Sequence, residues 1–376
     1  MLRIIKNVQV FTPEPHSLCD VVITDKRVHS LKPINSTHPP YADIYDGKGA
    51  YLVPGFIDVL THIVGGGGEG GFGNRTLEIT AQEMLRAGVT TAVGALGTDA
   101  VTRSLANLLG KSRELQAKGI SCYFYSGSYH LPLRTLTPSL EEDLIYIPEI
   151  LGVGELALSD HRGSVVHFDD LLHIGRTVRT SANLAGKKGI VFCHLGDGKE
   201  ELSLLTQIIE QTEITAEYFL PTHINRNPNL FQTGLNFALD GGYIDFTTST
   251  NAGLIEDGEV PSPQALQRAL NAGVHINHIT FSSDANASLP RFSASGEVIG
   301  VDSGRISSLF EAVRNAVLSC DIPLEIALRC ITSNPAARLG LPHKGHIEYG
   351  FDADFVLLDP NSLEIQQVWS QGIARI

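Results

Sequence analysis

Short apolar runs alternate with amphipathic stretches through the middle of the chain, and both ends depart from that rhythm. Near the start come LRIIKNVQVF, DVVITDKRVHSL and YADIYDGKGAYLV. They are β-branched, partly alternating and broken by Pro, Asp and Gly, which predicts short strands. GHIEYGFDADFVLLD, a turn at Pro360-Asn361-Ser362 and LEIQQVWSQGIARI share that texture near the end. The two ends together predict one small β domain. Between them run YLVPGFIDV (51–59), VTTAVGAL (89–96), ISCYFYSG (120–127), ILGVGELAL (150–158), GIVFCH (189–194), YFLPTH (218–223), YIDFTTS (243–249) and INHITFSSD (276–284). Helical stretches such as LEITAQEMLRAG, DAVTRSLANLLGKSRELQAKG, DLLHIGRTVRTSANLAG, EELSLLTQIIEQT and PSPQALQRALNAG lie between most of them. Strands apolar on both faces belong in a parallel sheet covered by helices. Eight β–α units is the number that closes an α/β barrel of the TIM type, (β/α)8; an open doubly wound sheet is the alternative.

Composition narrows the function. Hydrophobic residues make up 43% of the 376 and charged ones 18%, which excludes disorder for most of the chain. Twenty-eight Lys and Arg against 41 Asp and Glu leave a net charge of −13, which argues against nucleic acid or an anionic membrane as partner. The cysteines, Cys19, Cys122, Cys193, Cys320 and Cys330, are scattered and form no CxxC, so neither a disulfide frame nor a thiolate zinc cluster is expected. No apolar run approaches the roughly 20 residues of a membrane span, and MLRIIKNVQVFTPEP has no signal-peptide core. A cytoplasmic protein is expected.

The chemistry sits where the predicted strands end. Strand one runs into Leu60-Thr61-His62, strand four contains Glu155, strand five ends in His194, strand six in His223 and strand eight in Asp284. In a barrel those ends open onto one face, so separated segments converge there. Glu155 interrupts an apolar run in a strand expected to be buried, and an unpaired buried carboxylate costs several kcal/mol. A basic residue from a neighbouring strand could compensate it. With His194 and His223 on the next two strands, a divalent cation is the stronger reading. Imidazole and carboxylate suit zinc, with manganese or iron open. Cys193 should face away from His194 and serve packing.

At these residues the chain resembles the amidohydrolase superfamily, and within it the isoaspartyl (β-aspartyl) dipeptidases. The superfamily cues are Val53-Pro54-Gly55-Phe56-Ile57-Asp58, Thr332-Ser333-Asn334-Pro335-Ala336, and Gly345-His346-Ile347 through Asp354. The dipeptidase-like cues are Gly65 to Glu69, Gly97-Thr98-Asp99, Gly127-Ser128-Tyr129-His130, Ser159-Asp160-His161-Arg162, Pro221 to Asn227, and Ser282-Ser283-Asp284 leading to Asn286 and Ser288. The resemblance implies a metal-dependent barrel over 53–342, a β-sandwich from 1–52 and 343–376, a zinc hydrolase and a homo-oligomer. Two departures stand out. Leu60 replaces the first histidine of the family's His-x-His, and Glu155 stands where the family bridges two metals through a carbamylated lysine. One firmly held ion at Glu155, His194 and His223 is therefore expected, with His62 and Asp284 holding any second ion weakly.

The same resemblance implies a substrate pocket. Glu69 would take the substrate's amino group, Arg162 and Arg226 its carboxylates, and Tyr129 the carbonyl oxygen as charge develops. Thr98 and Ser288 are weaker contacts. Asp284 would accept the proton of a metal-activated water and pass it to the leaving amine. The expected function is hydrolysis of β-aspartyl dipeptides. Deacetylation of an N-acyl amino acid or amino sugar is the nearest alternative, and a scaffold that lost its metal through Leu60 is the non-catalytic rival.

Overall fold

The computed structural model describes residues 1–68, 71–292 and 298–376. The first strands are β1 (Leu2–Phe11), β2 (Pro15–Thr24), β3 (Arg27–Pro33), β4 (Asp43–Asp46) and β5 (Tyr51–Pro54). Next come β6 (Phe56–Thr61), β7 (Val89–Gly94), β8 (Ser121–Ser126), β9 (Ile150–Leu158), β10 (Val191–Leu195), β11 (Phe219–Thr222), β12 (Ile244–Thr247) and β13 (Ile279–Ser282). A hairpin of β14 (Ser288–Phe292) and β15 (Val298–Ser303) follows, and β16 (Phe355–Leu358), β17 (Ile365–Ser370) and β18 (Ile373–Ala374) end the chain.

Both ends of the chain build one sheet, in the order β18-β17-β16-β5-β1-β2-β3 with β4 on β1. Alternation decides its buried face: Ile5, Val8, Val10, Val21, Ile23, Leu52, Phe355, Leu357 and Trp369 form a single apolar cluster. Only Gly55 separates β5 from β6. Its amide donates to Asp354 O at 2.8 Å, and a Cβ there would stand 2.3 Å from Thr90 Oγ1, so the two sheets meet too closely for a side chain.

Strands β6 to β11 pair in parallel, in chain order, and β12 pairs in parallel with β13. The Ile224 amide donates to Asp245 O at 3.3 Å, which ties the end of β11 to β12. The far edge returns to β6, where Asp284 N donates to Leu60 O at 3.1 Å and His62 N to Ala285 O at 2.8 Å. The sheet therefore curls until its last strand meets its first. Alternation sorts the side chains. Ile57, Val59, Val93, Tyr125, Phe192 and Leu220 gather in one cluster, while Phe56, Val89, Cys122, Leu156, Val191 and Phe219 pack with helix residues Met84, Leu108, Leu171, Leu205 and Leu230. Each large apolar side chain so buried contributes about 1.5–3 kcal/mol. Cys193 belongs to the helix-packed cluster, as its place beside His194 predicts.

The helices follow the predicted stretches with sharper ends. Ala81–Arg86 occupies only part of LEITAQEMLRAG, because Thr80 caps it through a reciprocal bond with Glu83 and leaves residues 77–80 outside. Ser104 caps Leu105–Ala117 and Asn227 caps Pro228–Leu239. The hairpin β14–β15 has no counterpart in the sequence reading. Its strands lack the long apolar run that marks the parallel ones.

Candidate active site

Glu155, His194 and His223 come together from three adjacent strands, with their ligand atoms within 4.8 Å of one another. No other such group of three occurs among the described residues. Glu155 sits in β9, where all nine residues are buried. Glycine precedes it because the backbone of Gly154 has φ +152° and a Cβ would lie 2.6 Å from Phe192 O. His194 Nδ1 is 2.9 Å from Glu155 Oε1, and His223 Nε2 is 3.1 Å from the same oxygen. His223 and Asp284 adopt left-handed backbone, with φ 62° and 50°. Non-glycine residues hold such conformations rarely, and functional sites collect them.

His62 reaches the cluster from the end of β6. Its Nε2 lies 3.7 Å from Glu155 Oε2 and 3.1 Å from Asp284 Oδ1. Both of those oxygens are buried, and neither has a hydrogen-bond partner. Buried carboxylate oxygens without partners are costly, and here they face imidazole nitrogens. That donor set of two imidazoles, a third imidazole nearby and two carboxylates fits a divalent cation.

Burial governs protonation here. It pulls the His194 imidazole down to about 3 and that of His223 down to about 4, so both are neutral at physiological pH, as a ligand must be. For His62, burial also pulls down, but the adjacent Asp284 carboxylate outweighs it and raises the group. Burial would raise Asp284, yet the surrounding imidazoles, His62 first, bring it down to about 2. Tyr129 is pushed well above the usual phenol range by burial and by Glu155, and its hydroxyl stands 2.7 Å from His194 Nδ1.

Two of the predicted pocket residues, Arg162 and Arg226, adjoin this core. Arg162 is held by Asp160, with Nε to Oδ1 at 3.0 Å and Nη2 to Oδ2 at 2.6 Å. Its guanidinium carbon stands 5.8 Å from the centre of the Tyr129 ring. Arg226 Nη1 is 3.9 Å from Asp160 Oδ2. Thr98 lies in the wall of a cavity of about 430 Å³ that includes Val101, His130 and Leu133. Ser288 opens β14 against the glycine loop, where a Cβ on Gly67 would come within 3.1 Å of its own. Glu69 lies outside the described residues. Leu60 is fully buried in the inward apolar cluster.

Two polar neighbours went unassigned from sequence. Asp160 Oδ2 is 2.8 Å from His194 Nε2, and Thr247 Oγ1 is 2.5 Å from His223 Nδ1. Asp160 had a signal, an acid in the loop after the strand that carries Glu155. Thr247 had none beyond its place at the end of β12.

An amidohydrolase family model matches residues 256–374. The crystal structure of the β-aspartyl dipeptidase of Fervidobacterium islandicum AW-1, in complex with β-Asp-Leu, superposes with a TM-score of 0.93 at 41% identity, covering 100% of this chain and 96% of that one. The chain belongs to the amidohydrolase family. Within it, β-aspartyl dipeptidase structures match the whole chain at 39–41% identity. A deacetylase of Brucella anthropi is 24% identical over 352 residues, 89% of this chain and 77% of its own length. The N-acetylglucosamine-6-phosphate deacetylase of Pasteurella multocida shares the fold alone, with a TM-score of 0.66 at 16% identity, covering all of both chains. Among the described residues, no helix is long and apolar enough to cross a membrane.

Proposed function

We propose that the protein is a metal-dependent amide hydrolase acting on β-aspartyl dipeptides. The observation that carries this reading is the buried Glu155–His194–His223 cluster, in a chain 41% identical over its full length to a β-aspartyl dipeptidase. We read the curled sheet as a closed (β/α)8 barrel spanning 53–342, with 1–52 and 343–376 as a separate β domain. Glu155, His194 and His223 would hold one zinc ion, and His62 with Asp284 would hold any second ion loosely. When bound, the ion supplies Lewis acidity toward the scissile carbonyl and lowers the pKa of water.

The chain's own groups do the rest. Asp284, a carboxylate at neutral pH, takes the proton of the attacking water and returns it to the leaving amine. Tyr129 keeps its proton at neutral pH and donates to the carbonyl oxygen as charge builds. Arg162 and Arg226 bind the substrate's carboxylates, and planar guanidinium suits them better than ammonium. Glu69 takes the amino group, with Thr98 and Ser288 in support. A cytoplasmic homo-oligomer remains part of the proposal.

The test compares β-Asp-Leu with α-Asp-Leu and N-acetyl-β-Asp-Leu, with metal content measured on the same preparation. β-Asp-Leu should be cleaved far faster than either. Equal turnover of the α and β isomers would discard the assignment, and preference for the acetylated compound would favour the deacetylase reading.

A further inference from the structure

Asp160 contacts more of the site than any role so far gives it. Its side chain is 2% exposed. One oxygen, Oδ2, lies 2.8 Å from His194 Nε2 and 2.6 Å from Arg162 Nη2. The other, Oδ1, accepts from the Arg162 backbone N–H at 2.8 Å and from its Nε at 3.0 Å. On the opposite edge of the same imidazole, Nδ1 faces Glu155 Oε1 at 2.9 Å.

We propose that Asp160 is a positioning residue: it selects the His194 tautomer that can bind a cation, and with the same carboxylate it fixes Arg162 beside Tyr129. The inference rests on the metal-hydrolase reading above. A cation at Nδ1 needs the lone pair there, so the ring proton must sit on Nε2. Arg162 Nη2 stands 3.1 Å from Nε2, and a guanidinium only donates. Acting alone, Arg162 would favour a bare Nε2 and drive the proton onto Nδ1, where it blocks the cation. Asp160 reverses that preference once a cation engages Glu155, the carboxylate at Nδ1: it only accepts and lies closer to Nε2 than the guanidinium does. Its bidentate grip on Arg162 also turns a competing donor into a held one.

Metal ligation and substrate recognition thus share one carboxylate, and two substitutions separate them. Asp160→Ala removes both functions. Asp160→Asn can still offer its amide oxygen to Nε2–H, but the amide NH2 then meets the Arg162 donors head on. Zinc affinity is measured by competition with a chromogenic chelator, on protein whose folding is checked by thermal melting. Asp160→Ala should bind zinc about 10–100-fold more weakly than wild type. Asp160→Asn should stay near wild type in zinc affinity while its KM for β-Asp-Leu rises about tenfold. Wild-type zinc affinity in Asp160→Ala would overturn the proposal. So would equal zinc loss in the two variants, which is the pattern of a merely structural residue. A wild-type chain that binds zinc but leaves β-Asp-Leu intact sinks the dipeptidase reading, and the zinc comparison still decides this one. A wild-type chain that holds no zinc overturns both.

Discussion

Leu60 presents hydrocarbon two residues before His62, fully buried among Val59, Val93, Ala95 and Tyr125. In a regular strand side chains at that spacing share a face, and a histidine at 60 is expected to point with His62 toward Glu155 and Asp284 although the pairing register shifts between Asp58 and Thr61. Wild-type protein should therefore retain about one divalent ion per chain after dialysis, as three protein ligands with one open position allow. Leu60→His should retain a second, read by elemental analysis, and two ions in the wild type would sink the single-ion model. Glu155→Ala should release the main ion, since it removes the one anionic ligand of the three. Arg226→Ala should lower kcat/KM for β-Asp-Leu at least about tenfold, through loss of a charged hydrogen bond worth about 1.5–3 kcal/mol. Glu155, His194 and His223 were legible in the sequence because each is a polar residue in or ending an apolar run. Asp160 carried a weaker signal, an acid in the loop after the strand that holds Glu155, and its role shows only once its neighbours are seen.

The strands were legible for the same reason the core forms: runs such as ILGVGELAL bury every residue. What the pattern could not reveal is how the first and last parallel strands are joined. Asp58, in β6, accepts from Leu60 N at 3.2 Å and from Ser283 N, just past β13, at 3.1 Å, both through Oδ1. One carboxylate oxygen thus pins the strand leading to His62 against the one leading to Asp284. In sequence Asp58 was only part of a family cue. Asp58→Ala should leave two buried N–H groups unpaired and destabilise the protein by about 2–5 kcal/mol in urea unfolding. Asp58→Asn keeps an acceptor oxygen in place and should be tolerated. Equal stability of the Ala and Asn variants would show that the pin contributes nothing. The β14–β15 hairpin escaped the reading because its sequence holds no long apolar run, and backbone pairing is what identifies it.

At the scale of the whole molecule, the curled sheet encloses carboxylates with no charged partner in reach of a hydrogen bond among the described residues. Asp58 and Asp245 are both fully buried, and burial pushes each up to about 7, against the hydrogen bonds that would lower it. Among the described residues, Asp245 accepts from the hydroxyls of Thr222, Thr280 and Ser282 alone. In an unfolded chain both would titrate near the ordinary 3.8. Between those two values the folded protein holds protons that the unfolded chain has released. Stability from these groups is therefore fully present below about pH 4 and is lost as pH rises toward 7, with no further change above it. Asp58→Asn is close to a permanently protonated Asp58 and removes that group's share of the slope. Relative to wild type, the variant should gain stability as pH rises from 4 to 7, by up to about 1.4 kcal/mol per pH unit. Chemical unfolding of metal-free protein at pH 4.5, 5.5, 6.5 and 7.5 reads the difference directly. A stability difference that stays constant across that series would mean Asp58 is ionised in the folded protein and that the centre of the sheet carries its charge.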